Sequence, residues 1–104
     1  QTGKNGGSSG LSKEDRKREK QAAAARRAEL APLRKAIKDA EDDLARLKRK
    51  IAAVERTLGE PATYNNAEAT VALGKDKAKL EAEIATVEES WLQMSDEYEE
   101  AQRA

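Results

Sequence analysis

The sequence predicts an all-α protein in which two long helices form an antiparallel coiled-coil hairpin. Three observations carry that expectation. Ala, Glu, Lys, Leu and Arg dominate the 104 residues, 38% of which are charged and only 3% aromatic, a composition typical of long helices that pack along a narrow seam. Two apolar arrays keep heptad spacing. Between them lies "LGEPATYNN", Leu58 to Asn66, which a continuous helix could not cross because Pro61 lacks the backbone donor.

Residues 1–10, "QTGKNGGSSG", hold four of the six glycines and no large apolar side chain, so residues 1–11 read as a flexible linker, native or a cloning remnant. The helical hairpin is expected over 12–104, with a helix at 12–58, a turn at 59–65 and a second helix at 66–102. Ser12 suits the N-cap of the first helix, with acidic Asp15 at its third position. Residues 12–29 carry no large apolar stripe, so this part has little to hold it to a core.

From Leu30 the pattern changes. Leu30, Leu33, Ile37, Ala40, Leu44, Leu47, Ile51, Val54 and Leu58 alternate spacings of three and four, four unbroken heptads. Pro32 lies inside this run. Its ring presses on the carbonyl of Ala28, so the first helix is expected to kink there. Gly59 suits a left-handed C-cap, and Pro61 then acts as a stop.

Asn65 is expected to cap the second helix, with Glu68 closing a capping box. Leu73, Leu80, Ile84, Val87, Trp91, Met94, Tyr98 and Ala101 continue at heptad spacing, with a polar slot at Lys77. Gly74 weakens this helix by about 1 kcal/mol relative to Ala. The preferred antiparallel register sets Leu58 against Leu73, Ala40 against Trp91 and Leu33 against Tyr98, so that small meets large. It also brings Lys48 near Glu81 and Lys50 near Glu83, and it opposes Glu41 to Glu88.

The net charge of zero conceals a division. Residues 1–58 hold 16 Lys/Arg against 9 Asp/Glu, and residues 59–104 hold 4 against 11. Such halves fit two segments lying against each other. The chain contains no Cys and no His, which excludes disulfides, thiolate catalysis and imidazole chemistry. No P-loop is present around either Gly-Lys pair. Acidic runs such as Glu41–Asp43 splay around a helix and read as a solvated face. No catalytic site, metal site or cofactor is expected. No apolar run reaches the roughly 20 residues of a membrane span, and no signal peptide is visible. A cytoplasmic monomer is the expectation, because two seams on one chain find each other at high effective concentration.

One feature points to a ligand. Lys13, Lys20, Arg27 and Arg34 recur every seven residues, and Arg16, Lys17, Arg18, Arg26 and Lys35 widen the stripe. Ser12 to Lys35 carries 9 basic against 4 acidic residues. A stripe of this kind can follow a phosphate backbone by displacing counterions; equally, it can serve only to solvate a helix. No aromatic residue is interleaved, so base stacking is not indicated. A basic segment followed by heptads also brings a bZIP factor to mind, but Gln21 stands near the place of the usual Asn and the second array has no role there.

"APLRKAI" (Ala31–Ile37), "LGEPATYNN" and "EESWLQMSDEYEE" (Glu88–Glu100) together resemble the C-terminal coiled-coil domain of ABC-F ATPases, in particular the Uup and YheS types. Leu58, Pro61 and Tyr64 follow the order of that family's turn, and Trp91-Leu92 matches the tryptophan near the hairpin's base. The resemblance spans residues 11–102, although Lys13 follows Leu11-Ser12 where a Tyr is often found. It implies two nucleotide-binding domains upstream, association with ribosomes, and binding of DNA or ribosomal RNA by the basic stripe. No ATPase activity is implied for the domain itself. The alternative is a structural or protein-docking arm with no nucleic-acid contact.

Overall fold

A computed structural model describes residues 12–103; the expected linker at 1–11 lies outside them. The described residues form three helices: α1 (Lys13–Leu58), α2 (Pro61–Tyr64) and α3 (Ala67–Arg103). There is no strand among the described residues. The chain divides at Pro32 into two compact units, Gln1–Pro32 and Leu33–Ala104. α1 runs through Pro32 without a helix break.

The first unit contains the start of α1. Its N-terminus is closed by a capping box, in which the Asp15 amide donates to Ser12 Oγ at 3.0 Å and the Ser12 amide donates to Asp15 Oδ2 at 3.4 Å. Two orphan donors of the first turn are thereby satisfied. Beyond the cap, nearly every side chain up to Glu29 is exposed.

The second unit is the hairpin. Every heptad position from Leu33 to Leu58 and from Leu73 to Ala101 is buried or half-buried, Lys77 included. Leu47, at 1% exposure, and Ala40, at 7%, are the most enclosed. Two cross-helix contacts fix the register. Trp91 Nε1 donates to Glu41 Oε2 at 3.0 Å, and Lys77 Nζ pairs with Glu55 Oε2 at 3.3 Å. Both lie one residue from the pairing of Ala40 with Trp91, and a slip of one heptad would separate both pairs. Lys77 therefore occupies a seam position by laying its stem along the groove and sending its ammonium to Glu55.

Some expected contacts are absent. No ion pair joins Lys48 to Glu81 or Lys50 to Glu83 among the described residues. Exposed lysines at a hairpin flank gain too little in water to be held in one geometry. Glu41, opposed to Glu88 in this register, accepts from the Trp91 indole.

The turn is built differently from the sequence expectation. Gly59 does not adopt a left-handed conformation. Its amide bonds to the carbonyls of Glu55 and Arg56, at 3.1 and 3.2 Å, and the Glu60 amide bonds to Thr57 O at 3.1 Å. α1 thus ends by tightening, which satisfies the carbonyls of Glu55, Arg56 and Thr57 without a left-handed glycine cap. Pro61 is a start as well as a stop. It occupies the first position of α2, where its missing donor costs nothing, and it drives Glu60 into extended backbone at φ −79°, ψ 134°. α2 is a single helical turn inside the region expected to be a turn between the two long helices.

The cap of α3 is Asn66 rather than Asn65. The Ala69 amide donates to Asn66 Oδ1 at 3.1 Å. Asn65 closes α2 instead, its amide donating to Pro61 O at 3.1 Å. Thr70 Oγ1, 3.0 Å from both Thr63 O and Asn66 O, ties α2 to the first turn of α3.

Candidate nucleic-acid interface

Helical geometry sorts the nine basic residues. Lys13, Arg16, Lys17 and Lys20 line one shallow concavity of the first unit. At 3.6 residues per turn they fall within about 60° of one line along the helix. Glu14, Asp15, Glu19 and Glu29 all fall outside that arc. All four cations are exposed, and among the described residues none of the four makes a salt bridge.

The other five differ. Arg18 turns to the capping carboxylate and pairs with Asp15 Oδ1. That Arg18 contact, followed by the bonds from Ser12, holds the Asp15 carboxyl below the usual range. Lys35 Nζ lies 2.8 Å from Asp39 Oδ2, a bond and charge that raise the Lys35 pKa. Arg26, Arg27 and Arg34 are exposed and already engaged with neighbouring groups. The structure therefore brings four of the nine together as an unneutralised face and ties Arg18 and Lys35 to local acids.

The four-cation face has an energetic cost. Its members are mutual neighbours at spacings of three and four, giving four like-charge contacts, each destabilising by roughly 0.2–0.5 kcal/mol. They also crowd the positive end of the α1 dipole, which favours acids. Downstream the same helix pairs Lys35 with Asp39 and Lys38 with Asp42, at 2.8 and 3.1 Å.

A second surface lies on the hairpin. Leu44, Ala45, Trp91 and Leu92 form the floor of a shallow groove rimmed by Glu41, Lys48 and Glu88. Trp91 is half-buried, a packing residue with one edge in this groove. Leu92 is 55% exposed. Its signal in the sequence was an apolar residue outside the heptad positions. Among the described residues, no group of three or more acidic side chains is placed to hold a metal ion. No helix among them is long and apolar enough to cross a membrane.

The family described as ABC transporter C-terminal domain matches residues 31–96. The chain belongs to this family. The match covers the seam from Leu33 to Met94, the turn and Trp91, most of the stretches on which the resemblance to the ABC-F coiled coil rests. As such a domain it is a non-catalytic accessory unit. No curated protein and no solved structure gave a significant match.

Proposed function

We propose that this domain is the C-terminal arm of an ABC-F type ATPase and binds nucleic acid through the start of α1. In this reading the hairpin is the rigid stem, attached to nucleotide-binding domains that precede it. The arm is monomeric and cytoplasmic, and ribosomal RNA and DNA are the ligands its chemistry suits. The observation that carries the reading is the face of Lys13, Arg16, Lys17 and Lys20, which keeps four like charges together at a cost in helix stability. Local rules are typically broken where a site needs them broken.

Phosphates can reach these side chains without disturbing the seam, because none of the four is a seam residue. Binding is then weak, tolerant of sequence and dominated by counterion release. Four neutralised phosphates give a slope of about −4 in log affinity against log salt. Lys13→Glu, Lys17→Glu and Lys20→Glu together should abolish most of that slope while the thermal midpoint stays nearly unchanged. Binding by the triple variant equal to that of the parent would reduce the face to a solvated surface.

The groove beside Leu92 favours a second reading, a protein-docking arm. It predicts salt-insensitive association that is lost on Leu92→Glu and indifferent to the triple charge reversal.

A further inference from the structure

The two flanks of the hairpin differ. With Leu44 and Trp91 in the seam, helical phase places Glu41, Ala45 and Lys48 of α1 on one flank, which they share with Glu88 and Leu92 of α3. The groove of the other flank lies between Lys50, Asp76, Lys79 and Glu83, so charged side chains border its apolar floor. On the Leu92 flank the floor is open. Leu92 is 55% exposed, a large apolar side chain outside the seam positions. The Trp91 N–H is already given to Glu41, so the indole offers the groove carbon surface only. At the rim, Glu88 and Lys48 form no hydrogen bond or ion pair among the described residues. From Glu41 to Lys48 the floor runs about 10 Å along α1, at 1.5 Å per residue.

Resting on the docking-arm reading, we propose that this groove receives one amphipathic helix of a separate protein chain, with arginine or lysine flanking its apolar stripe. The groove walls are helices, whose backbone groups bond within themselves. They offer no edge for strand addition, so recognition rests on side chains, as when an amphipathic helix lies in an apolar groove. About two turns of such a helix, with apolar residues at i, i+3 and i+4, match the length of the floor. The rim is acidic by two to one. Glu41 and Glu88, opposed in this register, present two carboxylates to one guanidinium. Lys48, at the other end, suits an acid and so sets the direction in which the helix lies. Exposed ion pairs add little affinity. The floor therefore sets the affinity, and the rim chooses the partner.

The probes are two synthetic peptides of about 20 residues, long enough to be helical. Both carry the same leucine stripe and no aromatic residue; one is flanked by arginine, the other by glutamate. Trp91 is the sole tryptophan, so its emission, measured on the chain as it is, reports on the groove. The basic peptide should shift that emission and bind at least about tenfold more tightly than the acidic one. Leu92→Glu should weaken its binding by about tenfold or more, although the new carboxylate attracts arginine. Gln93→Glu adds the same charge outside the groove and should not weaken binding. Circular dichroism checks that both variants keep the hairpin. Equal binding of the two peptides, still lost on Leu92→Glu, overturns the basic partner and leaves the docking arm standing. Binding of the basic peptide that survives Leu92→Glu is attraction by charge or strand exchange at the seam, and overturns the groove as its seat. Emission that neither peptide shifts overturns the docking arm as well.

Discussion

The two stretches of α1 on either side of Pro32 share a helix but not a reason for being helical. Downstream, an apolar residue recurs every three or four positions and packs against α3, and the exposed Lys35 and Lys38 are matched by acids one turn on. Upstream, the helix has a capping box at its end and almost no apolar contact, and its cations are gathered rather than matched. The difference shows where each stretch takes its stability. Tertiary burial holds the downstream stretch, while the upstream one rests on propensity and its cap, which are marginal for a helix of this length in water.

The comparison breaks most directly at Leu47, the most enclosed side chain among the described residues. Leu47→Ala should destabilise the hairpin by about 2–5 kcal/mol, read from chemical denaturation. Trp91→Ala should cost less than the roughly 3–5 kcal/mol of a fully buried tryptophan, because Trp91 is half-buried and bonded to Glu41 at its edge. Neither change should alter the salt slope of ligand binding under conditions where the hairpin remains folded. A loss at Leu47 no larger than that of an exposed residue would mean that the seam does not organise this unit.

A smaller effect tests the turn. Asn66→Ala removes the cap of α3 and should cost about 1 kcal/mol, while Asn65→Ala should be close to neutral, because its contribution to α2 comes from its backbone amide. Equal losses at the two positions would restore the cap expected from sequence.

These two cases mark what the sequence made legible. The seam was readable because burial repeats: Leu33, Ala40, Leu47 and Trp91 each confirm the phase set by the others, so an error at one position is corrected by the rest. The register was preferred because small Ala40 meets large Trp91 and because it opposes one like-charged pair where a slip of one heptad opposes two. The turn was less readable because adjacent asparagines have the same capping chemistry, and the choice between them depends on where α2 ends. Gly59 was misread because a glycine after a helix often takes the left-handed cap, whereas here Pro61 forces Glu60 extended and begins a new turn. For the candidate interface, the excess of basic charge was plain, but its division was not. Which lysine finds an acid depends on rotation around the helix, and Arg18 and Lys35 leave the stripe for Asp15 and Asp39.

Both glycines of the folded region should accept alanine. At Gly74 a new methyl meets nothing within 4 Å, and Gly74→Ala should stabilise α3 by about 0.8–1 kcal/mol. At Gly59 the nearest atoms are Arg56 O at 3.5 Å and Glu55 O at 3.6 Å, ordinary contacts at a backbone outside the left-handed region. Gly59→Ala should be stabilising by up to about 0.4–1 kcal/mol through the unfolded chain. A marked destabilisation at Gly59 would point to the left-handed cap after all.

The smallest expected effect sharpens the comparison at its upstream end. Asp15 has its pKa lowered by Arg18 first and by Ser12 second. A carboxyl depressed in the folded state stabilises that state above its unfolded pKa, roughly 3.9, and loses the contribution as pH falls through the folded value. Lys35 has the opposite sign: raised by Asp39, it contributes below the unfolded lysine value of roughly 10.4 and loses the contribution as pH rises. Both groups remain open to solvent, so neither titration should move the global melting of the hairpin detectably. The upstream stretch has no seam to mask the loss. Acidification below the unfolded carboxylate range should therefore fray α1 at its first turns while the seam persists. Backbone chemical shifts of residues 13–19 should move toward coil across that window, and those of Leu44 to Val54 should hold. Asp15→Asn should remove the acid dependence, whereas Lys35→Gln should leave it intact. Shifts that stay flat for residues 13–19 would show that the capping box does not hold this end of the helix, and that propensity alone presents the four cations.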